Sequence, residues 1–193
     1  MSKLYIYAGI AASSVMIAIG IGSIVVGASG RGDVRDKIKD EKIVGAPDMN
    51  PDDIRAAVEE AGIKTDIPNC TIAEEPVDDG SSAKCFADYM RIHALEGTGG
   101  KTFAEMPRFL GKDGEPTAEE SEAAIDPKSG EPVSNPERNI WVTETALSTA
   151  LNTSYFAEQV ASFSIVMGIC LLLAGIGFLV LTLRLPWRDV RGS

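Results

Sequence analysis

The sequence predicts a mainly α protein with two transmembrane helices flanking a small extracytoplasmic helical domain, which carries a flexible insertion. Three observations lead there. An uncharged apolar run lies near each end of the chain, the stretch between them holds nearly all the charge, and that stretch contains caps and stops at helical spacing. The expected divisions are a cytoplasmic N-terminus over 1–3, membrane helices over 4–27 and 160–183, an acidic outer domain over 28–159 with its insertion at 111–135, and a cytoplasmic basic tail over 184–193.

The first run, "LYIYAGIAASSVMIAIGIGSIVVG" from Leu4 to Gly27, has no charged side chain. It exceeds the roughly 20 residues a helix needs to cross a hydrocarbon core of about 30 Å. The competing reading is a cleaved signal peptide, with "VGA" at Val26 to Ala28 as a small-residue cleavage site. Against it, the run is longer than the usual apolar region of about 7 to 15 residues, and only Lys3 supplies side-chain charge ahead of it. Within the run Ser14, Ala18 and Gly22 recur every four residues. Such a strip allows another helix to approach closely, although small residues are common in membrane helices generally.

Next, "VRDKIKDEKIV" reads as a short solvated continuation of that helix, with Val34 and Ile38 four apart among alternating charges. A second helix is signalled from Pro51 to Ala61. Asn50 can cap it, Pro51 suits its first position, Asp52 and Asp53 favour its positive end, Gly62 stops it, and Ile54 and Val58 form a narrow apolar stripe. A third helix is expected across "SSAKCFADYMRIHALEG", capped by Ser81 or Ser82 and ended near Gly97, with Phe86, Met90 and Ala94 facing inward. Thr102 and Glu105 have capping-box spacing.

From Gly111 to Asn135 the chain is rich in Gly, Pro, Glu, Asp and Ser and reads as the flexible insertion. Order resumes at "NPERNIWVTETALSTALN", a helix starting near Asn135 and Pro136 whose Ile140, Leu147 and Leu151 share a face. "TSYFAEQ" then leads into the second apolar run, "VASFSIVMGICLLLAGIGFLVLTL" from Val160 to Leu183. A soluble domain this small has no room to surround such a helix. Gly168 and Gly175, a heptad apart, are placed to face the first membrane helix, and Cys170 reads as a packing residue. Arg184, Trp187, Arg188 and Arg191 form the membrane anchor of the tail.

Charge sets the expected orientation. The stretch 28–159 holds 27 acidic side chains against 14 basic ones, while the tail is basic. By the positive-inside rule both ends are then cytoplasmic and the middle is outside. Arg31, Arg35, Lys37, Lys39 and Lys42, just after the first helix, argue the other way. The rule weakens for translocated loops beyond about 60 residues, so the tail decides. Tyr5, Tyr7 and Trp187 suit one interface and Tyr155 and Phe156 the other; aromatics mark depth, not direction.

Cys70 and Cys85 bracket "TIAEEPVDDGSSAK". Outside the cytoplasm a disulfide is the default and would stabilise the fold by about 3 kcal/mol in the chain-entropy model. Free structural thiols or a metal or redox site are the alternatives. A metal site is disfavoured by spacing, because structural zinc wants paired ligands, and the chain has one further cysteine and a single histidine, His93. No Walker loop, G-x-S-x-G or G-x-G-x-x-G accompanies His93, and "GTGG" at Gly97 to Gly100 reads as a turn. Glu74, Glu75, Asp78 and Asp79 lack the order of a calcium loop and read as a solvated acidic loop. No catalytic, cofactor-binding or metal residue is assigned, and the acidic charge disfavours nucleic acid as a partner.

Three stretches carry a resemblance: "LYIYAGI", "SAKCFADYMRIHALEGTGGKTFAEM", and "NIWVTETAL" through "LTL". With these the chain resembles an actinobacterial two-pass membrane-protein family of unknown function, whose members often carry the label of aromatic ring-opening dioxygenase. The likeness covers most of the chain except Gly111 to Pro132 and implies two membrane helices around an outer helical domain. The label meets a chemical objection, since extradiol ring opening needs non-haem iron, typically held by two histidines and a carboxylate. The expectation is therefore a non-enzymatic accessory or scaffold protein of the plasma membrane. Its outer domain would dock with or stabilise a larger membrane or envelope complex, its partners being the bilayer, other membrane or envelope proteins, or itself. The alternative is an extracytoplasmic sensor or ligand-binding protein, with an enzyme third.

Overall fold

The computed structural model describes residues 3–189 and is mainly helical. In chain order it contains α1 (Lys3–Asp40), α2 (Pro51–Ala61), α3 (Gly80–Gly97), β1 (Phe109–Leu110), β2 (Pro116–Thr117), a 3-10 turn (Glu120–Glu122) and α4 (Arg138–Asp189). Two compact units result, an apolar one of Met1–Lys37 with Phe156–Ser193 and a central one of Ile38–Tyr155. α4 is one unbroken helix of 52 residues, so "TSYFAEQ" lies within it and does not link two helices. The hydroxyls of Thr153 and Ser154 donate to the carbonyls of Thr149 and Ala150 at 2.7 and 3.1 Å, which satisfies them without breaking the helix.

In the apolar unit, α1 and α4 are both long and apolar enough to cross a membrane. Only 11% of the most apolar window of each is buried, whereas the core helix of a soluble protein is mostly buried. Val15, Ile19 and Val26 on α1, and Phe163, Leu173 and Phe178 on α4, are among the large side chains left exposed. The helices run antiparallel along a seam of small residues that repeats every seven: Ser13, Gly20 and Gly27 meet Gly175, Gly168 and Ala161. A Cβ on Gly20 would lie 2.8 Å from the Gly168 carbonyl oxygen, and one on Gly168 would lie 2.6 Å from the Gly20 oxygen. Only hydrogen fits there.

Gly168 and Gly175 are thus in the contact, but Ser14, Ala18 and Gly22 are not. All three are exposed, and Gly22 faces open space. A spacing of four overshoots each helical turn by about 40°, so that strip winds away from a straight partner. A spacing of seven keeps facing it. Buried Ser13 donates its hydroxyl to the Gly9 carbonyl at 2.8 Å, satisfied within its own helix. At one end of the seam Glu158, 5% exposed, accepts from Arg31 Nε and Arg35 Nη2, each at 2.7 Å.

The central unit is built on caps and close turns. Asn50 Oδ1 accepts from the backbone of Asp52 and Asp53, and Gly62, at φ 66°, closes α2 in the left-handed region. α3 is capped by Asp79 and not by Ser81 or Ser82. Asp79 accepts from the Ser82 amide while the Ser82 hydroxyl accepts from the Asp79 amide, so the acidic residue takes the cap and the serine returns the bond. Before α2 the chain pairs with 72–77, and Gly45 passes so near Ile72 that a Cβ would overlap its carbonyl oxygen. Tyr89, Ile54, Ile92 and Val77 are the largest fully buried apolar side chains, and a second cluster gathers Ala94, Leu95, Met106 and Trp141.

The segment expected as a flexible insertion is hydrogen-bonded instead. β1 pairs antiparallel with β2, and isolated bridges join Phe109 to Ser134, Gly111 to Ala123 and Ile125 to Pro132. Ala123 and Asn135 are buried, and the Asn135 amide side chain donates to the Pro107 carbonyl at 3.1 Å.

Replacing Gly168 by Leu is expected to lower the thermal stability of the helix pair in mild detergent by the equivalent of about 1 to 3 kcal/mol, as overpacking does elsewhere. Gly22→Leu should leave the melting temperature unchanged. Circular dichroism melts of the two variants check this, and equal melts would place the contact elsewhere.

Candidate functional site

An open groove of about 820 Å³ lies in the central unit between α3 and α4. Phe86, Met90 and Ala94 repeat every four residues along α3, one above another on a helix face, and all line it. Ile140, Leu147 and Leu151 line it from α4, and Ile43 and Met49 from the segment before α2. Helical spacing alone turns Phe86, Met90 and Ala94 inward on α3 and puts Ile140, Leu147 and Leu151 on one packing face of α4; Ala94 and Leu151 are buried, whereas Phe86 and Met90 are half-buried and Ile140 and Leu147 are 38% and 45% exposed.

The reason lies in which face of α4 turns inward. In the central unit its buried residues are Trp141, Glu144 and Leu151, one step round the helix from Ile140 and Leu147. Trp141 fixes that rotation: its indole Nε1 donates to the Lys101 carbonyl at 2.9 Å and approaches Thr98 Oγ1 at 3.3 Å, with Arg91 stacked over the ring at 5.3 Å. Sequence reasoning missed Trp141 and Glu144. The signal available was their spacing with Leu151, three and then seven residues apart on one helical stripe.

The polar side chains of the groove are few. Glu41, His93 and Glu144 are its ionisable residues. Glu144 is 5% exposed, and its Oε2 accepts from the Thr145 hydroxyl at 3.2 Å. His93 Nε2 lies 3.3 Å from Asp48 Oδ2 but makes no hydrogen bond with it. A dioxygenase label would imply iron held by two histidines and a carboxylate, and His93 with Asp48 does not fit, because the chain has no second histidine. No group of three or more His, Cys, Asp or Glu side chains converges among the described residues.

Cys70 and Cys85 form a disulfide, with Cα atoms 6.1 Å apart across a separation of 15 residues. It ties the start of α3 to the loop before it, and Tyr89 reinforces the same connection by donating its hydroxyl to the Cys70 carbonyl at 2.6 Å. Burial raises the Tyr89 pKa above the ordinary tyrosine value. At Glu105 the reverse holds: hydrogen bonds from the Thr102 amide and hydroxyl lower its pKa. Cys170 is an exposed free thiol on α4. Of the basic tail, Arg184 is exposed, whereas Arg191 and the side chains of Trp187 and Arg188 lie outside the described residues.

Comparison with protein-family models, with curated proteins and with solved structures finds no match to this chain.

Reducing the disulfide is expected to destabilise the central unit by about 3 kcal/mol for a loop of this length, measured by urea unfolding with and without reductant. Tyr89 adds a pH dependence. Its folded pKa is raised, so its contribution is complete below the unfolded value of 10.0 and is lost as pH rises through the folded value. Tyr89→Phe should flatten that alkaline loss. An unchanged alkaline profile in the variant would assign the loss to other groups.

Proposed function

We propose that this chain is a two-pass integral membrane accessory or scaffold protein, with cytoplasmic termini and the central unit outside, which docks a protein of a larger membrane or envelope complex in the α3–α4 groove. One observation carries the reading: apolar side chains that a closed helical domain would use as core line an open groove. Exposed apolar surface rimmed by polar residues marks interaction sites.

The membrane reading is supported by the exposed apolar surface of α1 and α4, and by small-residue packing, which associates helices in lipid where hydrophobic burial supplies no drive. Orientation is supported by the arginine tail and by the disulfide, a feature of oxidising compartments. The dissenting basic cluster after the first membrane segment weighs less, because Arg31 and Arg35 are engaged by Glu158. The reading is non-enzymatic. It agrees with the resemblance to the actinobacterial two-pass family and sets aside the dioxygenase label. A ligand-binding or sensing role is the second reading, favoured by the groove's size, which lies within the range of small-molecule pockets.

Two measurements test it. In intact cells an impermeant thiol reagent should label a cysteine placed at Glu119 and spare one at Arg191; the opposite pattern would invert the topology. The double variant Ile140→Asn, Leu147→Asn should insert normally yet lose the proteins that co-purify with the wild type in mild detergent. Unchanged co-purification would remove the groove from the docking surface.

A further inference from the structure

Resting on the docking reading above, we infer that the occupant of the groove is a basic amphipathic helix of a partner protein, its apolar face against α3 and α4 and its Lys or Arg side chains reaching Glu41 and Glu144.

The apolar anchors set the shape. From Ile140 to Leu151 the α4 wall extends about 16 Å at 1.5 Å per residue, three turns of helix. On α3 the facing anchors repeat every four residues. A partner helix with apolar residues at i, i+4 and i+7 matches walls of that length and spacing, the mode by which amphipathic helices enter hydrophobic grooves. Half-buried Met90 in the lining is adaptable enough to accommodate such anchors.

The charge selects the partner. No Lys or Arg lines the groove, and among the described residues no basic side chain pairs with Glu41 or Glu144. Glu144 is already buried, with the Thr145 hydroxyl as its donor. An uncharged apolar cover would take the remaining water from this carboxyl group and supply no hydrogen-bond donor in return, which is costly for a buried polar group. A cover carrying an ammonium or guanidinium group supplies the missing counter-charge. A helix with acidic flanks is repelled at the same two positions.

The test uses the full-length protein in non-ionic maltoside detergent and two fluorescent model helices of about 18 residues, five turns each. They share one leucine face and differ in carrying Lys or Glu on the other. Anisotropy titrations should show the Lys helix bound at least ~10-fold more tightly, the scale at which charge complementarity discriminates. Glu41→Gln with Glu144→Gln should abolish most of that preference. Glu119→Gln with Glu120→Gln, which removes the same charge from the exposed start of the 3-10 turn, should keep it. Equal binding of the two helices overturns the inference, as does a preference lost equally in both charge variants, since general acidity would then be its source. Binding of dodecylamine in the absence of any helix binding, read by isothermal titration calorimetry, also overturns it and assigns the groove to a lipid-like amine. Failure is separable from that of the docking reading: co-purifying proteins lost in Ile140→Asn, Leu147→Asn without a charge preference leave docking intact and remove only the basic helix.

Discussion

The close approach of α1 and α4 at Gly20 and Gly168 is the constraint on which the apolar unit depends. Each glycine removes the atom that would collide with the other's carbonyl, so the backbones come together with Ile24 and Leu172 against the two glycines, and Ile17 and Ile165 lie along the same seam at Gly175 and Gly27. In a membrane setting such contact is what remains to hold two helices together, because lipid tails solvate leucine as well as another helix does. The seven-residue repeat extends the contact from Ser13 to Gly27 without losing register. It ends at Glu158, where two arginines one turn apart on α1 converge on a single carboxylate. A buried carboxylate is tolerable when its partners are this close and this well aligned.

In the central unit, apolar burial is supplemented by linkages that join distant parts of the chain. The disulfide and the Tyr89 hydroxyl both anchor the segment at Cys70 to α3. Trp141 binds α4 to the turn after α3 through the Lys101 carbonyl. Arg138 lies over Phe103 at 3.8 Å, adding a cation–π contact at the start of α4. These links decide which faces turn inward. The groove follows from them, since rotating α4 to bury Trp141 and Glu144 leaves Ile140 and Leu147 outside.

Much of this was legible in the sequence, and the rest was hidden for identifiable reasons. Asn50, Pro51 and Gly62 delimit α2 by local backbone chemistry, which a sequence displays directly. The apolar runs and the glycine pair at 168 and 175 were equally plain. The facing strip on α1 was not. Ser14, Ala18 and Gly22 are as small as Ser13, Gly20 and Gly27, and only the partner's position separates a spacing of four from one of seven. On α4 two stripes compete, and the aliphatic one drew the assignment because Glu144 reads as solvated. The ladders between Phe109 and Ser134 rest on bonds such as the Leu110 amide to the Val133 carbonyl, across segments too short to show alternation. Their polar, glycine-rich composition reads as disorder even though non-local pairing orders them.

Glu144 and Glu158 show what the folded chain adds to the sequence. Both are carboxylates on α4, two heptads apart and each 5% exposed. Composition alone gives no reason to treat them differently. Glu158 meets two guanidinium groups, so its burial is compensated within its own unit. Glu144 meets a neighbouring hydroxyl and the open side of an apolar groove. Removing a charge from water is costly wherever it happens, so the same helix has an answered carboxylate at one position and an unanswered one at the other. The unanswered one stands where apolar side chains also lack a cover. A single basic amphipathic helix meets both deficits, because its apolar face and its cation reach them together, whereas a purely apolar partner would relieve the first by aggravating the second.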